Sequence, residues 1–201
     1  MPQNSIPRII QYWFGPKYHH TEISPQQRLR WFGKDAAVGQ EIRRLFHPQV
    51  IKAGDEKPDK SRNAPKGALA LILLLDQFPR HLWRDSPKMY QFDTLAIQHA
   101  RALTSGDHHL RHDPIERLFI YLPLEHSQDL NTQNTAVELI TKLVTQLPCN
   151  ARPPYERALF YAHKHRDIIA RFGRFPHRNS VLNRICTQEE ETFLKLPGSR
   201  L

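Results

Sequence analysis

Apolar residues recur at three- and four-residue intervals along most of this chain. Val137, Ile140, Leu143, Val144 and Leu147 form one such stripe, and Leu95, Ala96, His99, Ala102 and Leu103 form another. No segment alternates apolar and polar residues between hairpin turns, so no sheet is predicted. The longest apolar run, Ala68 to Leu75, fits a buried helix segment and is too short for a membrane span. Ser24-Pro25, Ser86-Pro87 and Asp113-Pro114 each place a capping side chain before a proline suited to the first helical position. Asp113 with Glu116, and Thr187 with Glu190, have capping-box spacing. Gly15, Gly54, Gly106 and Gly173 stand where helices should stop. Helices are thereby predicted near 6–14, 25–33, 36–53, 65–78, 87–105, 114–122, 128–147, 154–172 and 188–195.

Loops between the later helices are short, which makes successive helices antiparallel neighbours. The expected fold is all-α: one domain over residues 1–201, built from antiparallel helical hairpins. The stretch Gly54–Asn63 (GDEKPDKSRN) is charged and reads as a surface loop. Two cysteines, Cys149 and Cys186, exclude a disulfide scaffold and a cysteine-based zinc site. No basic start followed by an apolar stretch opens the chain, so a cytoplasmic protein with no membrane partner is expected. Lys and Arg number 29 against 20 Asp and Glu, a net charge of +9 that favours anionic partners.

Three polar segments interrupt apolar sequence. In the first, LLLDQFPR, Asp76 and Gln77 arrive where the pattern still predicts core, and Pro79 should end or kink the helix. A buried carboxylate needs a partner. Arg80 is the nearby cation, giving either an internal clamp or part of a ligand site. In the second, YLPLEHSQD, Pro123 should break the preceding helix, Ser127 is a candidate cap, and Asp129 lies one turn after Glu125-His126. A carboxylate orienting His126 would suit a general base; capping at the helix start is the competing reading. The third runs from His163 to Arg184. His163 and Asp167 are four apart on one helix face, and Arg171-Phe-Gly-Arg174-Phe-Pro-His177-Arg178-Asn179 carries basic groups on a stiff turn. Arginine forks match phosphate or carboxylate bidentately, or else satisfy carbonyls and pair with nearby acids.

His19-His20 and His108, His109 and His112 fall in expected loops and read as solvated imidazoles. Phosphate-cradling glycine loops, nucleophile elbows and paired zinc-binding histidines on one helix are missing from the sequence.

LDQFPR at 75–80, YLPLEHSQDL at 121–130 and HKHRDIIARFGRFPHRN at 163–179 together resemble the bacterial family of domain of unknown function 924. The likeness runs from Tyr12-Trp13-Phe14 and Trp31-Phe32 to the closing TQEEETFL at 187–194. It implies a tetratricopeptide-like superhelical array, and no established reaction, substrate or cofactor. The chain has Val38-Gly39 where the family commonly has Phe-Asp, Gln128 where it has Glu, and Asn183 in place of a Gly.

The leading functional expectation is a polar pocket for a small anionic, phosphorylated ligand. Its ligand-binding residues would be Asp76, Gln77, Arg80, Arg171, Arg174, His177, Arg178 and Asn179, with Glu125, His126 and His163 as candidates for catalysis. A second expectation is a metal-dependent hydrolase using Glu125, His126, His163 and His177. A third is a helical interaction module whose exposed face binds peptide or nucleic acid.

Overall fold

The computed structural model describes residues 5–15, 23–55 and 65–200. His19, His20 and most of the expected 54–63 loop lie outside them. Among the described residues there are helices and no strands, as the patterning predicts. They are α1 (Ser5–Phe14), α2 (Pro25–Phe32), α3 (Ala36–Asp55), α4 (Pro65–Ile72), α5 (Phe78–Leu82), α6 (Asp93–Thr104), α7 (Pro114–Glu125), α8 (Leu130–Gln146), α9 (Pro153–Phe172) and α10 (Gln188–Leu194). Contacts divide the chain into two compact units: Met1–Arg84 with Lys88–Pro123, and Asp85–Pro87 with Leu124–Leu201.

In the first unit, α1 and α6 pack on α4, and α3 packs on α5. Residues 68–75 are buried throughout, so this run is the spine of the core. Around it stands an aromatic cluster in which Trp13, Phe14, Trp31 and Phe119 meet edge to face. Such pairs add about 0.5–1.5 kcal/mol each beyond area burial. Gly39 on α3 approaches the other backbone closely: a Cβ there would sit 2.7 Å from the carbonyl oxygen of His81.

Pro79 neither ends the helix nor stops the run. Leu73–Gln77 form a π-helical turn that leads directly into α5, and the Phe78 N–H donates to Leu73 O. Widening the turn by one residue accommodates the proline ring, which would otherwise strike the carbonyl four residues back. Pro123 likewise fails to break α7, which runs on to Glu125. Residues 118–124 are all buried, and that packing outweighs the roughly 3 kcal/mol that a helix-interior proline costs.

His109, His112, Glu116 and Arg117 are buried rather than solvated, whereas Asp107, His108 and Arg111 are exposed. His109 Nδ1 lies 2.6 Å from Tyr121 Oη, which also accepts from Arg117 Nε at 3.1 Å. His112 Nδ1 pairs with Glu116 Oε2 at 3.1 Å, and Lys66 pairs with the other Glu116 oxygen. Each imidazole therefore has polar company, His109 from Tyr121 twelve residues on and His112 from Glu116 one turn on. On α6 the buried residues are Ala96 and Ala100; Ala102, expected in the stripe, is exposed. The helix expected from 87 begins only at Asp93, after a 3₁₀ turn at Pro87–Tyr90. Gly54 lies inside α3, against the Phe92 ring, and does not stop it.

In the second unit, α8 and α9 pack as a pair. The expected stripe Val137, Ile140, Leu143, Val144 and Leu147 is entirely buried. Gly173 closes α9 in the left-handed region at φ 65°, and its N–H donates to Ile169 O. Ile168, Ile169 and Phe175 then form a small core, with Phe172 and Phe193 packed against it. Thr187 and Glu190 make the predicted capping box at the start of α10.

Candidate functional site

The expected residues fall into both units. In the first, Asp76 is fully buried. One carboxylate oxygen lies 3.1 Å from Arg80 Nη1; the other accepts from Gln77 Nε2 at 2.5 Å. The Arg80 guanidinium also forks onto both oxygens of Asp93, at 3.0 and 3.1 Å, and donates to the Asp76 carbonyl at 2.6 Å. Tyr90 covers the guanidinium, its centroid 5.8 Å away. Asp76, then Asp93, hold this cation more firmly charged than usual against the cost of burial. The arrangement is a closed clamp across the π turn, the internal reading of this segment.

The second unit holds the richer constellation. At the end of α7, Glu125 is buried, and its Oε1 lies 2.8 Å from His165 Nδ1 on α9. The same Nδ1 lies 2.9 Å from the Tyr161 carbonyl. Both neighbours are acceptors, so Nδ1 carries the proton, and the Nε2 of a neutral His165 keeps a lone pair. That is a carboxylate-oriented imidazole, the arrangement a general base requires.

Three further groups surround this pair. The His126 ring stands 6.2 Å from that of His165, and Phe175 stands 5.5 Å from His165 and 5.4 Å from His177. Arg178, itself buried, lies 4.5 Å over Phe175 and donates to the His126 carbonyl at 3.1 Å. The backbone turn beneath is held by Gln128, which accepts from Phe175 N and Arg184 Nη1, both at 3.0 Å, while Arg184 Nη2 donates to Phe175 O. Asn183 adopts φ 52°, the left-handed conformation that Gly or Asn tolerates best.

Burial, and then the nearby charges of Arg178, His165, His126 and Arg184, push the His177 imidazole down to about 3. It is neutral at physiological pH. Glu125 Oε2 and His177 Nδ1 are among the buried polar atoms here that have no hydrogen-bond partner among the described residues.

The remaining expected residues have other duties. Arg174 forks onto Glu190 at 2.6 and 2.7 Å and donates to Ile185 O. Arg171 pairs with Glu189 at 2.8 Å. Asn179 Nδ2 donates to Glu190 at 3.2 Å. These bonds dock α10 onto the 173–179 turn. Asp129, considered as an orienting partner of His126, caps α8 by accepting from Thr132 N at 2.9 Å; Ser127, the expected cap, supports it by accepting from Asp129 N. Glu125 orients His165 rather than His126 or His163. His163 lies two residues from His165, about 200° around the helix, and so faces elsewhere. His165 was not singled out by the sequence; the signal was present in its three- and four-residue offsets from Ala162 and Ile169, both on the buried face of α9. Among the described residues no three His, Cys, Asp or Glu side chains converge to hold a metal ion, so Glu125, His126, His163 and His177 are not a ligand set. A shallow hollow of about 370 Å³ lies elsewhere, lined by Pro25, Arg28, Leu29, Phe32 and Gly33.

An all-helical chain with these three segments in this arrangement matches a family model described as bacterial protein of unknown function (DUF924) over residues 9–198. The chain belongs to this family. It is similar to a solved structure titled as a protein of unknown function, ATU0120, from Agrobacterium tumefaciens, with 33% identity, 96% of this chain and 97% of that chain covered, and a TM-score of 0.80. A search of the curated proteins finds no match. Among the described residues no helix is long and apolar enough to cross a membrane.

Proposed function

We propose that the second unit binds a small anionic, phosphorylated ligand over Glu125, His126, His165, His177 and Arg178. The observation that carries this reading is the buried Glu125–His165 pair, with Glu125 Oε2 and His177 Nδ1 both unpartnered, beside a guanidinium. His126, His165 and His177 are each only partly buried, so the cluster reaches the surface at its edge.

Electrostatics favours an anion. His177 is neutral because a proton there would meet burial and neighbouring positive charge. An anion reverses the second effect, so binding and protonation of His177 reinforce each other, and affinity rises as pH falls. Arg178 supplies the fixed cation, and a protonated phosphate hydroxyl has an acceptor in Glu125 Oε2. His165, oriented through Nδ1, is the group positioned to take a proton at Nε2. Arg171 and Arg174 serve Glu189 and Glu190, so the proposed anion contacts pass to Arg178 and the imidazoles.

Histidine-ring NMR during titration with inorganic phosphate tests this, at a pH near 6.5 where free imidazoles are half charged. Saturable shifts of His126, His165 and His177, weakened at least tenfold in Arg178→Lys, are expected. Shifts that do not saturate, or that are confined to an exposed ring such as His108, overturn it.

A further inference from the structure

One turn before His165, helix α9 exposes aromatic side chains that the anion site does not use. Phe160 and Tyr161 are 55% and 38% exposed, large aromatic areas left to water. Their centroids are 5.6 Å apart and the rings are nearly perpendicular. Lys164 Nζ lies 4.8 Å over Phe160, and the Arg157 guanidinium lies 6.0 Å from Tyr161. Arg157, Phe160, Tyr161 and Lys164 occupy positions i, i+3, i+4 and i+7, which is one continuous helical stripe. Acidic company on α9 is slight: exposed Glu156 sits one turn before Phe160, and Asp167 is taken up by Arg166 at 2.6 Å.

We infer that this stripe is a binding face for single-stranded nucleic acid, with bases stacking on Phe160 and Tyr161 and phosphates meeting Arg157 and Lys164. Exposed rings offer every base a π-face, and cations beside the rings follow the backbone. The +9 charge of the chain complements a polyanion. A duplex hides its base faces, so the rings select for unpaired strands. Recognition of this kind is independent of base sequence.

Fluorescence anisotropy of the full chain with a labelled oligothymidylate of about twelve nucleotides tests the inference, since this length spans the stripe with excess. Phe160→Ala with Tyr161→Ala should weaken binding at least tenfold while leaving the salt dependence of the affinity unchanged, because lost stacking carries no counterion release. Arg157→Gln with Lys164→Gln should reduce the slope of log K against log salt by about 1.4, two phosphates at about 0.7 each. Arg28→Gln, an exposed charge of the first unit, serves as control and should change neither by more than the loss of one general charge. All four side chains are outward, and circular dichroism verifies that the variants fold. Absence of binding at low salt, equal binding by the ring-deleted variant, or a preference for an acidic peptide or duplex that survives ring deletion each overturns the inference.

Discussion

Removal of the Arg80 guanidinium is the perturbation whose cost the structure defines best. Arg80→Leu keeps the methylene packing but leaves Asp76, whose side chain is fully buried, and Asp93, whose side chain is 13% exposed, without their shared cation. Breaking a buried pair by deleting one partner costs about 3–5 kcal/mol, because the remaining charge is desolvated and uncompensated. One guanidinium serves two carboxylates here, but Asp93 can recover some hydration, so about 4 kcal/mol is expected. With an unfolding entropy of about 2.1 cal/mol/K per residue, that lowers Tm by roughly 16 °C for a unit of this size. Trp13, Trp31 and Trp83 are the chain's three tryptophans and all belong to the first unit, so tryptophan fluorescence reports on that unit selectively. Adding Asp76→Asn and Asp93→Asn in the same chain should recover half or more of the loss, because the penalty is one of unpaired charge. A fall below about 3 °C on Arg80→Leu, or no recovery in the neutral triple variant, would refute the clamp.

Acid should destabilise the protein below about pH 6.5: His81 and His177 are held down to about 4 and about 3, so the unfolded chain takes up two protons that the native one refuses. Above that pH neither matters; between about 6.5 and 4 the stability should fall by up to about 2.7 kcal/mol per pH unit, and replacing either residue with Gln should halve the slope in urea titrations. Glu190 is held near 2, chiefly by Arg174, so its contribution is present above about pH 4.5 and is lost as pH falls toward 2. Glu190→Ala removes the cap on Thr187 N together with the Arg174 and Asn179 bonds, and should free α10 selectively, seen as faster hydrogen exchange in 188–194. Gly39→Ala should destabilise by about 1–3 kcal/mol in spite of better helix propensity, because the new methyl group meets a backbone oxygen; an unchanged urea midpoint would contradict that contact.

Helix positions were legible because caps and stripes act locally. Ser24, Thr187 and Gly173 fulfil their roles where the sequence put them, and the α8 stripe is buried as its spacing demands. The prolines misled because their cost is small beside tertiary packing. Pro79 is absorbed by a π turn, and Pro123 by the buried surface of α7. His109 and His112 look solvated in sequence, yet both are buried, paired with Tyr121 twelve residues on and Glu116 one turn on. The site shows the same limit. Glu125, His177 and Arg178 are readable as polar interruptions, but the choice of His165 over His163 depends on which face of α9 meets Glu125. Likewise, the assignment of Arg174 to Glu190 depends on the docking of α10, a contact across sixteen residues.

Crystals soaked in tungstate report whether an anion seats at the imidazole cluster of the second unit. An anomalous peak within hydrogen-bonding distance of Arg178 and the His177 ring, displaced by excess phosphate, is the predicted result. Peaks confined to exposed cations such as Arg28 or Lys142, with the cluster empty, would contradict the account.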